Sequence, residues 1–92
     1  MERDRGRRMK PTTILWDLDD DPDGNVQHIG EHDLSKEEVE EVLRNPAGGD
    51  VSRSSGLPIA FGETSTGRLI AVIYAEIDRD TIRPVTAYEV EA

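Results

Sequence analysis

Apolar positions along the chain follow two periods, and the change from one to the other divides it. Val39, Val42 and Leu43 recur at helical spacing after Leu34, whereas Leu57, Ile59 and Phe61 alternate as in a strand. Ser35 and Glu38 have the form of a capping box, in which the hydroxyl accepts from the backbone N–H of residue 38 while the carboxylate reaches back to that of residue 35. Leu34 and Val39 occupy the staple positions that flank such a cap. The spacing predicts a helix over about Lys36 to Arg44, ended by Asn45-Pro46, because proline disfavours helical geometry in the residue before it. Upstream, Asp23 or Asn25 is suited to start a shorter helix reaching about Glu31, with Val26 and Ile29 inward and Gly30 weakening it.

Beyond Leu57 the chain reads as strands. Thr64-Ser65-Thr66-Gly67 marks a turn, Leu69 to Ile77 is apolar on both faces as in a central strand, and Asp78-Arg79-Asp80 turns the chain again. Thr81 to Val90 follows, its Thr, Ile, Val and Tyr residues favouring a strand and Pro84 an edge or a bulge. A short first strand over Thr13 to Asp17 precedes the helices. The expected class is α+β: a short N-terminal strand, one or two helices, then a three- to four-stranded antiparallel sheet with the helices on one face.

Composition limits the options. At 92 residues and 35% hydrophobic content the chain supports one small domain, expected over residues 11–92 after a basic, disordered leader over residues 1–10. With no cysteine, disulfides and thiolate chemistry are excluded, which suits the cytoplasm. No apolar run is long enough to span a bilayer, so a cytoplasmic protein without membrane attachment is expected. The net charge of -9 argues against broad nucleic-acid binding, since phosphate neutralisation supplies most of that affinity. The charge is uneven: residues 1–10 hold five cations against two anions, residues 11–50 two against twelve, and residues 51–92 four arginines against six acids.

Candidate chemistry is correspondingly sparse. The two histidines, His28 and His32, stand four residues apart, and His28-Ile29-Gly30-Glu31-His32 matches the H-x-x-E-H string of inverted zinc peptidases. Gly30 and the lack of an evident third ligand make exposed helix-face histidines the better expectation, so no metal or other cofactor is assigned. Asp19 to Gly24 satisfies the opening of a calcium loop, but the closing position is Gly30 where a bidentate glutamate belongs. An acidic turn capping the next helix through Asp23 and its neighbours is the simpler reading. Arg53, Arg68 and Arg83, each in or beside an expected strand, are the remaining chemical candidates.

Taken together, Trp16-Asp17, the run from His32 to Glu38, the loop ending at Pro46, Arg53, the strand from Arg68 to Tyr74 and Arg83-Pro84-Val85-Thr86-Ala87 resemble the BrnT family of type II toxins. The resemblance implies a RelE-like fold, metal-independent endoribonuclease activity and a neutralising antitoxin. It further implies that His28 or His32 serves as general acid or base and that Arg83 acts with it on the RNA, with Arg53, Arg68 and Tyr88 as substrate contacts. Spacing from Trp16 favours His28 as the family histidine, and the downstream Ser-x-Glu-Glu run favours His32. The chain departs from the family where a lysine is typical, at Asp20, and where a second arginine would stand, at Tyr88. Loss of cations weakens the hold on phosphate. A noncatalytic toxin-fold binding or regulatory module is therefore the alternative to a ribonuclease toxin.

Overall fold

The structure is a computed structural model and describes residues 13–90. The expected basic leader lies outside the described residues. Five strands and two helices follow in the order β1 (Thr13–Ile14), α1 (Asn25–Gly30), α2 (Lys36–Arg44), β2 (Gly48–Val51), β3 (Pro58–Glu63), β4 (Leu69–Asp78) and β5 (Thr81–Glu89). The strands form one sheet in the order β1-β5-β4-β3-β2, which places β4 at its centre. The α+β class and the central position of the long apolar strand agree with the sequence. The sheet, however, is five-stranded and mixed, because β1 pairs in parallel with β5 through Thr13 with Thr81 and Ile14 with Ile82.

Local chemistry accounts for the helices. The capping box at α2 is complete: Ser35 Oγ accepts from the Glu38 N–H at 3.2 Å, and Glu38 Oε1 accepts from the Ser35 N–H at 3.1 Å. α1 begins at Asn25, one of the two starts the sequence offered, but its N-cap is Gly24, which provides no side-chain cap. The expected capping by Asp23 is absent; the Asp23 N–H instead bonds Asp21 Oδ1 within the turn. Val26 is half-buried and Ile29 fully buried, so Ile29 carries most of the inward packing of this helix.

β2 was not evident from its sequence. Gly48 and Gly49 have little strand preference, and the segment is extended because it pairs antiparallel with β3, from Gly48 with Phe61 to Val51 with Pro58. Pro84 sits where the pairing of β4 and β5 shifts register, between Ile73 and Tyr74, as its missing N–H favours.

The register also assigns faces. Ala60, Val72 and Ala87 lie in one row across β3, β4 and β5 and join Ile29, Val39, Val42, Leu43, Ile70 and Ile82 in the core. Both helices therefore cover that face, α1 over β5 and α2 over β3 and β4. The small residues are what let α2 approach: a Cβ on Gly62 would stand 3.2 Å from Val42 Cγ1. The neighbouring rows, Phe61-Ala71-Tyr88 and Ile59-Ile73-Thr86, project from the opposite face. The alternating apolar residues of β3 thus point away from the helices, while Ala60 and Gly62 point toward them.

Candidate functional site

Two clusters organise the polar groups. The first joins β1, α1 and β5. Asp17 and Asn25 exchange a reciprocal pair of bonds, from the Asp17 N–H to Asn25 Oδ1 at 2.8 Å and from the Asn25 N–H to Asp17 Oδ2 at 2.9 Å. Asn25, 1% exposed, also donates through Nδ2 to the Leu15 carbonyl at 3.0 Å and the Pro84 carbonyl at 2.9 Å. Its amide is therefore satisfied on both sides, as burial requires. Gly24 permits this approach, since a Cβ there would lie 2.7 Å from Asp17 Cβ. Arg83 completes the cluster by donating from Nη2 to Asp17 Oδ2 at 2.6 Å. The Asp17 carboxylate thus sits at the α1 N-terminus, where negative charge is favoured, and meets the arginine on its other side.

The second cluster joins the start of β4 to α2 and the end of β5. Arg68 Nη1 donates to both carboxylate oxygens of Glu38, at 3.2 and 3.0 Å, and to the Asp33 carbonyl at 3.0 Å. Its Nη2 donates to Glu89 Oε1 at 3.0 Å. The bond to Glu89, ahead of that to Glu38, holds the guanidinium pKa above its ordinary value. Glu38 is shared between this arginine and the α2 capping box, so the cluster ties a helix start to two strands.

These positions do not converge. Arg83 stands opposite Ala75, and Arg68 immediately precedes β4 at Leu69. At about 3.3 Å per residue the intervening strand separates them by roughly 20 Å. Arg68 reaches toward α2, whereas Tyr88, in register with Ala71, belongs to the face opposite the helices. Arg53 is exposed in the turn between β2 and β3. His28 is exposed on α1, and His32 is exposed in the turn beyond its end rather than on the helix face with His28. The sequence expectation thus located the arginines but not their partners. It missed Asp17 and Asn25, whose only signal was a polar pair flanking a helix start.

The acidic turn is also engaged within the protein. Asp19 Oδ1 accepts from Lys36 Nζ at 3.1 Å, and the Gly24 N–H bonds the Asp21 carbonyl at 3.0 Å. Among the described residues no three histidine, aspartate or glutamate side chains converge as a metal site. No helix among them is long and apolar enough to cross a membrane. No family model, curated protein or solved structure matches the chain.

Proposed function

We propose that the chain is a noncatalytic binding or regulatory module on a RelE-like toxin fold, a divergent relative of the BrnT family, with an antitoxin-type protein as its partner. One observation carries this reading: Arg68 is committed to Glu38 and Glu89, and Arg83 to Asp17. An RNA phosphate would have to displace carboxylates that the fold itself holds, on a chain of net charge -9. An acidic surface of this kind favours a cationic protein partner and speeds its encounter.

A ribonuclease toxin is the second reading, and one feature favours it. α1, which carries the exposed His28, packs against β5, which carries Arg83. An acid or base and a cation thereby belong to adjoining elements, as metal-free RNA cleavage would need.

Expression in a bacterial host with growth followed, together with incubation of purified chain with RNA at low salt in the presence of chelator, separates the two. The binding-module reading expects normal growth and intact RNA. Growth arrest that a folded Arg83→Ala or His28→Ala/His32→Ala variant relieves would replace it with the catalytic reading.

A further inference from the structure

The face of the sheet opposite the helices has no covering element among the described residues. Its centre is apolar: Ile59, Phe61, Ile73 and Ala75 are half-buried, and Leu69 and Tyr88 are 37% and 38% exposed. Ala71 lies fully buried between Phe61 and Tyr88 even without a layer above it. A largely apolar face of this extent, interrupted by Thr86 in its middle row and by the exposed Glu63 beside Leu69, marks an interaction surface.

We propose that this face packs against the same face of a second copy of the chain, forming a two-fold symmetric sandwich of two sheets. Charge is the first reason. Most of the twelve anions of residues 11–50 fall in the acidic turn and in α2, on the other side of the sheet. Sheet-to-sheet packing turns those acidic sides outward and apart, beyond the distance over which salt screens exposed charge.

A two-fold axis along β4 lays β5 of one copy over β3 of the other, so that the apolar rows of the two open faces meet. Area is the second reason. Five strands at about 4.8 Å spacing and about 20 Å of strand length give roughly 500 Å² of projected face per copy, and thus about 1,000 Å² for the pair, enough for a specific contact. The first ten residues of the chain are a poorer occupant, since they offer two methionines among five cations and two anions. The inference does not depend on whether the chain cuts RNA.

Light scattering coupled to size exclusion on the full chain, from low to high micromolar concentration, tests this. The expected result is a concentration-dependent dimer. Tyr88→Glu should weaken it about tenfold or more while circular dichroism stays unchanged. Leu69→Gln should act in the same direction if Tyr88→Glu fails to fold. Leu18→Glu, in the exposed acidic turn, should leave it intact. A monomer at high micromolar concentration overturns the proposal, and so does a dimer that the folded Tyr88 and Leu69 variants leave unaltered.

Discussion

The two faces of the sheet are built from opposite choices of side chain. The helix-side face uses small residues, Ala60, Gly62 and Ala87, beside the buried Ile70, Val72 and Ile82, so that two short helices can close over it. The other face uses larger and flatter groups, Ile59, Phe61, Ile73 and Tyr88, and leaves them partly in water. Burial on the first face stabilises the fold at about 25 cal/mol per Å² of apolar surface removed from water. The second face has that gain still available. The polar clusters follow the same division, because each clamps a helix start to the strands at opposite ends of the covered side.

Among the polar clusters, the largest expected effect lies at Asn25. Asn25→Ala removes the partners of the Asp17 N–H and of the Leu15 and Pro84 carbonyls, and each group left buried without a partner costs about 1–3 kcal/mol. We expect a loss of about 3 kcal/mol in urea unfolding. A loss below about 1 kcal/mol would show that water replaces the amide and that the covered face is less tightly closed than its geometry indicates.

A smaller loss is expected at the other cluster. Ser35→Ala removes the acceptor for the Glu38 N–H and should cost about 1 kcal/mol, read in the same unfolding assay. Glu38 would keep its bonds to Arg68, so the ribbon of contacts from α2 to β4 should survive. No change at all would mean that Arg68 alone fixes the α2 start.

The smallest effect is confined to alkaline pH. Burial, with Glu76 adding to it, pushes the Tyr74 phenol above its ordinary 10.0. The folded chain therefore holds this proton more tightly than the unfolded chain does. The resulting stability is full below about pH 10 and is lost as the pH rises through the folded value. Tyr74→Phe should flatten that part of the pH profile. An unchanged alkaline decline would assign it to other groups.

Which of these features were legible beforehand depends on how local their cause is. The α2 capping box is written within four residues, and the centrality of β4 within one unbroken apolar run, so both could be read directly. β2 has no such local signal and exists through its pairing with β3. Alternation at Ile59 and Phe61 revealed a strand but not its facing, because helices select the side where Ala60 and Gly62 leave room. At the candidate site, arginine and histidine were visible as types of chemistry. Their partners were not, since Asp17 lies 66 positions from Arg83 and Glu38 lies 30 from Arg68. Asn25 illustrates the limit: its local pattern suggests a helix cap, and the tertiary structure uses its side chain to bind the Leu15 and Pro84 carbonyls and the Asp17 N–H.

Adjacent residues of β4 give the most direct test of the division between faces. Ile70, fully buried, points to the helices, and Leu69, partly exposed, points away. Urea unfolding of Ile70→Ala and Leu69→Ala at low micromolar concentration, below the range where copies would associate, compares the two sides on one strand. The expected loss is about 2–5 kcal/mol for Ile70→Ala and less than about 1 kcal/mol for Leu69→Ala. Equal losses at the two positions would contradict the division between the faces, since the open face would then be holding the fold together as firmly as the covered one.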